Sequence, residues 1–231
     1  MRQLPLGVQL GVSLRFETFH PGANAATVAA LDGLVREPGP PLWLFGPHGA
    51  GKTHLLQASC ALGGLRGLSS AYLPLSPSAS PGPELLAGFE RLGLVALDNL
   101  GAVAGLPDWE QALFTLYNAM AEQHGRLVCA AEGPPAAMPF RLADLRSRFS
   151  AGIVHRVQPL PESEQGAALV SRARHRGLEL PDDTLAYLTR RAPRDFAALC
   201  RLLDELDTEA LVAQRRLTVP FVREVLERSH H

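Results

Sequence analysis

The chain has 231 residues, and 46% of them are hydrophobic, enough to bury a core without disulfides or metals. A net charge of −1 with His neutral argues against a strongly basic nucleic-acid scaffold, while leaving room for a local patch. Cys60, Cys129 and Cys200 form no CxxC pair, no apolar run reaches the ~18 residues that span a bilayer, and the N-terminus lacks a signal-peptide layout, so a soluble cytosolic protein of one or two domains is expected.

Leu42-Trp43-Leu44-Phe45 is a short apolar run after Pro40-Pro41 and reads as a buried parallel strand. It leads into Gly46-Pro47-His48-Gly49-Ala50-Gly51-Lys52-Thr53, which matches GxxxxGK[ST]. Lys52 is the single lysine among the 22 basic residues, which marks a place where a compact ammonium is needed. A helix over Thr53 to Leu62, ending near Gly63-Gly64, completes the order of strand, glycine loop and helix. In that order the glycines let backbone N–H groups approach phosphate, Lys52 reaches the β- and γ-phosphates, and Thr53 ligates Mg²⁺.

Further along, Ser70 to Leu75 reads as a strand, Ser76 to Pro83 as a loop and Glu84 to Arg91 as a short helix. Leu92 to Leu97 is an apolar strand ending in Asp98, the acid that orients the metal of such a loop. The next residue is Asn99, whose amide can orient a water but cannot accept its proton, so efficient hydrolysis by this chain alone is not expected. Asp108 to Gln123 is an amphipathic helix with Trp109, Leu113, Leu116 and Met120 facing a core. Arg126 to Ala131 is a strand, Leu142 to Phe149 a short basic helix and Gly152 to Val157 a last strand. Strands alternating with helices predict an α/β fold, a parallel sheet with helices on both faces.

Beyond Pro159-Leu160-Pro161 only helices are predicted: Glu162 to Arg176, Asp182 to Arg191, Arg194 to Asp207 and Val219 to Ser229. Charge divides similarly, with 7 basic and 10 acidic residues in 1–140 against 15 and 13 in 141–231. The expected organisation is an N-terminal tail (1–13), an α/β P-loop nucleotide-binding domain (14–159), a small all-helical lid domain (160–229) and His230-His231 as a tag remnant. The basic run Arg172-Ala173-Arg174-His175-Arg176 is expected to be a solvated helix face. The histidines show no metal spacing, Cys60 and Cys129 read as small buried hydrophobes, and Ser59-Cys60 has no base partner for nucleophilic chemistry.

An α/β P-loop domain followed by helices resembles the AAA+ family. Phe19-His20-Pro21-Gly22-Ala23-Asn24, Asp144-Leu145-Arg146-Ser147-Arg148-Phe149 and Leu217-Thr218-Val219-Pro220-Phe221-Val222 are similar to strings of the bacterial replication initiator DnaA. Without the initiator's N-terminal and helix-turn-helix domains, the chain resembles the Hda family of DnaA-related regulators from Gln3 to Glu227. The resemblance implies that Gln3, Leu4 and Leu6 of Gln3-Leu4-Pro5-Leu6 enter the sliding clamp (the β subunit of DNA polymerase III), with Gly7-Val8 departing from the family's Pro-Leu pair. It implies that Arg148 is an arginine finger acting in trans on ATP held by DnaA, that Glu132 stands at sensor 1, and that Ala197 stands where the sensor 2 arginine is usual, Arg194 lying one turn earlier.

The nucleotide site implied comprises Gly46 to Thr53 with Asp98, Asn99, Glu132 and Arg194; ADP or ATP is its cofactor, and Mg²⁺ is held by Thr53 and Asp98. The first reading is therefore a negative regulator of replication initiation, ADP-bound, reaching DNA through the clamp and converting DnaA-ATP to DnaA-ADP. Membrane contact is not expected, and self-association is left open. An autonomous AAA+ ATPase of the DnaA or helicase-loader type is the alternative, disfavoured by Asn99. A DNA-binding initiator fragment would need a basic helix-turn-helix where Thr218 to Ser229 stands.

Overall fold

Five short strands, β1 (Leu42–Phe45), β2 (Ser70–Pro74), β3 (Leu94–Asp98), β4 (Arg126–Ala131) and β5 (Ile153–Arg156), pair in the order β2-β3-β4-β1-β5, all parallel. The computed structural model describes residues 14–78, 82–191 and 196–229. These form two units: one runs to Pro159 without Thr18–His20, and the other comprises Thr18–His20 and the chain from Leu160. Gln3, Leu4 and Leu6, expected to meet a sliding clamp, Arg194, expected near the nucleotide, and the terminal His230-His231 lie outside the described residues.

The helices of the first unit are α1 (Ala25–Arg36), α2 (Lys52–Leu65), α3 (Pro107–Glu122) and α4 (Ala143–Ala151). Strand residues alternate between two buried faces. Trp43, Val95, Leu97, Cys129 and Ala131 pack against Trp109, Leu113, Leu116 and Met120 of α3 and Leu145 and Phe149 of α4. Leu42, Leu44, Leu94, Ala96, Val128 and Ala130 are buried on the other face, where α2 packs on β2, β3 and β4, and α1 on α2. The parallel doubly covered sheet expected from the alternating elements is what forms.

One local expectation is refined and one corrected. The glycine loop helix, expected to end near Gly63-Gly64, ends one residue later, at Leu65. Gly63 faces Ser70, whose Oγ a Cβ would meet at 2.6 Å, so this glycine serves close packing. The stop is Gly67, at φ +78°, where Leu68 N–H donates to Gly63 O (2.9 Å) and Gly67 N–H to Gly64 O (3.0 Å). The helix expected over Glu84 to Arg91 is instead two 3₁₀ turns, Gly82–Leu86 and Phe89–Arg91, because Gly88 between them takes φ +94°.

In the second unit, α5 (Glu162–His175), α6 (Asp182–Arg191), α7 (Phe196–Ala213) and α8 (Val219–Ser229) close over Leu169, Leu188, Leu199, Leu203, Phe221 and Val225. Helix α7 extends past the expected end at Asp207, since Ala210 is also buried. The Arg172–Arg176 run is not a solvated face. Arg172 is 5% exposed and lies 3.4 Å from Asp204, and Arg176 pairs with Asp204 (2.7 Å) and Asp207 (3.5 Å), tying α5 to α7; only Arg174 and His175 of the run are exposed. Replacing Asp204 with Ala strands the buried Arg172 charge and is expected to cost the unit about 1–3 kcal/mol, read from the midpoint of chemical denaturation.

Candidate functional site

Because the sheet is parallel, the carboxyl ends of β1, β3 and β4 meet on one edge, and each delivers a polar element there. β1 is followed by Gly46 to Gly51, β3 ends in Asp98, and β4 is followed by Glu132. The loop is shaped by its glycines. Gly46 lies against the Val157 carbonyl with no room for a Cβ, and Gly49 (φ +76°) and Gly51 (φ +98°) take left-handed conformations that open the start of α2. Lys52 folds over this loop, and its Nζ donates to the carbonyls of Gly46 (2.6 Å) and Pro47 (2.9 Å).

Burial pushes the Lys52 pKa below the ordinary lysine range, against the opposing pull of Glu132 first and Asp98 second. An ammonium poised over left-handed glycines at a helix N-terminus is a phosphate-binding arrangement. Thr53 Oγ1 donates to Asp98 Oδ2 at 2.6 Å, a hydroxyl and a carboxylate close enough to share one hard cation. Glycines, ammonium and oxygen pair thus fit a magnesium nucleotide.

Asp98 is held more firmly than the sequence indicated. Its Oδ2 also accepts from the Tyr72 hydroxyl (3.0 Å), and its Oδ1 accepts from Asn99 N–H (2.8 Å). Burial raises the Tyr72 pKa above the ordinary phenol range, so the hydroxyl remains a donor. Tyr72 went unnoticed in the sequence because it belongs to β2 and meets Asp98 only through the β2–β3 register. Asn99 takes φ +60° and its side-chain amide donates to Leu75 O (3.1 Å), a turn-forming use of the residue. Asn24, before α1, brackets the Gln158 backbone, donating to its carbonyl (2.9 Å) and accepting from its N–H (2.8 Å).

Arg148 does not join this cluster. It lies on α4, which leads back to Ile153, and Ile153 is in register with Leu42 at the start of β1. The residue is therefore near the amino edge of the sheet, about 13 Å from the loop edge by strand length alone. Its exposed guanidinium stacks over the rings of Phe114 (5.1 Å) and Tyr117 (5.5 Å), and the Tyr117 hydroxyl donates to the Arg148 carbonyl (3.4 Å). No carboxylate pairs with it among the described residues.

Elsewhere, Cys60 and Cys129 are buried, and burial pushes the Cys60 thiol up to about 12. Among the described residues no three His, Cys, Asp or Glu side chains are grouped to hold a metal ion, and no helix is long and apolar enough to cross a membrane. For the phosphate loop, Lys52→Ala and Lys52→Arg are both expected to weaken nucleotide binding by at least about tenfold, the guanidinium being too broad for the gap between two carbonyls. Titration with a fluorescent ADP analogue checks this.

The chain resembles known proteins in its overall fold and in its C-terminal helices. Residues 162–226 match the family model of the Hda lid domain. The chain superposes on domain III of the replication initiation protein DnaA from Thermotoga maritima with a TM-score of 0.73, at 19% identity, covering 94% of this chain and 97% of that one. AMPPCP-bound DnaA from Aquifex aeolicus gives a TM-score of 0.67 at 19% identity, with 85% of this chain and 66% of that one covered. The Thermotoga maritima RuvB Holliday junction branch migration motor gives 0.60 at 16% identity, with coverages of 90% and 69%.

Proposed function

We propose that this chain, whose residues 162–226 match the Hda lid domain and whose fold is that of DnaA domain III, is an Hda-like, DnaA-related AAA+ protein that binds ADP itself and promotes hydrolysis of ATP held by the initiator DnaA, lending Arg148 to the partner's site. The observation that carries the reading is the separation of Arg148 from the chain's own phosphate loop by the length of the sheet. An exposed arginine with no carboxylate partner among the described residues, presented on two aromatic rings at the opposite edge, is suited to a nucleotide on another molecule.

In the chain's own site, Gly46, Pro47, His48, Gly49, Ala50 and Gly51 wrap the phosphates and Lys52 neutralises them. Thr53 and Asp98 would hold Mg²⁺, which would spread the phosphate charge. Glu132 and Asn99, which follow β4 and β3, are assigned to the terminal phosphate. Asn99 is a neutral amide engaged with Leu75 O and offers no base, so the bound nucleotide turns over slowly and ADP persists.

At the partner's nucleotide the Arg148 guanidinium stabilises charge that gathers on the γ-phosphoryl oxygens as water attacks phosphorus and ADP leaves. Gln3, Leu4 and Leu6 supply the clamp contact, an amide and alternating leucines for an apolar groove, and so bring the protein to DNA through the clamp.

With ADP, clamp-loaded DNA and DnaA carrying labelled ATP, the intact protein is expected to accelerate phosphate release. Arg148→Ala is expected to return the rate to that of DnaA alone, in line with the ~10³–10⁵-fold worth of an arginine finger. No acceleration by the intact protein, with clamp binding confirmed, would refute the proposal; ATP turnover by the chain alone would then point to an autonomous ATPase. Separately, replacing Gln3, Leu4 and Leu6 with Ala is expected to abolish capture by immobilised clamp while leaving ADP affinity unchanged.

A further inference from the structure

Glu110 is 1% exposed and forms no ion pair among the described residues, and both its carboxylate oxygens accept from backbone N–H groups. Oε1 accepts from the N–H groups of Gly105 (2.6 Å) and Arg141 (3.0 Å), and Oε2 accepts from Leu142 N–H (2.6 Å). Leu142 is the N-cap residue of α4, so the carboxylate of one helix terminates the start of another. A buried carboxylate is costly unless charge-assisted hydrogen bonds replace its hydration, and three N–H donors do so here.

The stripe of α3 that carries Glu110 continues with Phe114 and Tyr117, at i, i+4 and i+7, a single helix face. Those two residues are the rings under Arg148. One face of α3 thus grips α4 twice, by hydrogen bonds at Leu142 and by aromatic contact at Arg148 and Phe149. Phe149 in turn lies against Trp43 at 5.0 Å, which anchors the far end of α4 to β1.

We infer that Glu110 is a positioning residue for Arg148: by fixing the start of α4, it sets where the guanidinium is presented to a partner's nucleotide. This rests on the proposal that Arg148 acts in trans. A misplacement of about 1 Å at a reacting centre can cost on the order of 10²-fold in rate, so loosening one end of a nine-residue helix is enough to matter.

Glu110→Gln is the selective test, because an amide can keep the two Oε1 bonds while its NH₂ faces the Leu142 N–H and cannot accept from it. In the ADP-loaded full chain with clamp-loaded DNA, this variant is expected to lower the maximal rate of DnaA-bound ATP hydrolysis by about 10–10²-fold, with half-saturation by DnaA and ADP affinity each within about twofold of the parent. Amide hydrogen exchange at Leu142 is expected to accelerate by at least about tenfold. Leu142→Pro removes the same N–H at a φ of −78° that proline adopts, and serves if Glu110→Gln does not fold. A full maximal rate in whichever variant folds, or a rate loss matched by lost ADP affinity, would overturn the inference. Full stimulation by Arg148→Ala would remove the reading beneath it, and this inference with it.

Discussion

Trp43 ties the two working ends of the first unit together. Its indole N–H donates to Gly133 O at 3.0 Å, holding the end of β4 beside the strand that feeds the phosphate loop. Its ring, 1% exposed, lies 5.0 Å from Phe149 and 6.3 Å from Phe140, at the two flanks of α4. One buried aromatic on β1 therefore bears on Gly46 through its own strand, on Glu132 through Gly133 and on Arg148 through Phe149. Large aromatic side chains dominate core energetics because they bury so much area, and here that area is spent between the nucleotide edge and the arginine helix.

The parallel sheet then assigns chemistry to edges. Every strand carboxyl end points to one side, so Lys52, Thr53, Asp98 and Glu132 gather there by topology alone, and α4, returning toward the start of β5, carries Arg148 away from them. A cation at the phosphates and an arginine at the opposite edge cannot serve the same nucleotide within one molecule. That arrangement gives physical meaning to Asn99: its side chain braces the turn after Asp98 through Leu75 O where a proton acceptor would serve hydrolysis. Held carbonyls, a held carboxylate and a neutral amide are what the slow turnover proposed for this site requires.

In both units, buried charge does work that apolar packing cannot. Glu110 substitutes one carboxylate for the missing acceptors of three N–H groups, and Asp204 ties Arg172 of α5 and Arg176 at its C-cap to α7. Such groups specify geometry because each has few acceptable arrangements, whereas leucines tolerate many. The same property hides them in a sequence. Glu110 looks like any acid in the first turn of an amphipathic helix, and Arg172 like any base on a solvated one.

What the sequence determined by itself was the set of local features with short-range causes. Apolar runs of strand length ending at Gly46 and Asp98, the glycine spacing before Lys52, and the switch from alternating elements to helices after Pro159 each follow from contacts within a few residues. Tertiary structure alone decided which neighbours those residues met. Tyr72 reaches Asp98 through strand register, Glu110 reaches Leu142 across 32 positions, and Gly63 is a packing glycine because Ser70 stands against it. Gly67 and Gly88 share a left-handed φ that no composition rule separates from the glycines inside α2. The physical reason is common to all of them: propensity and periodicity report a residue's own backbone, whereas burial, hydrogen-bond partners and the edge on which a charge emerges are set by chain segments brought together only when the sheet closes.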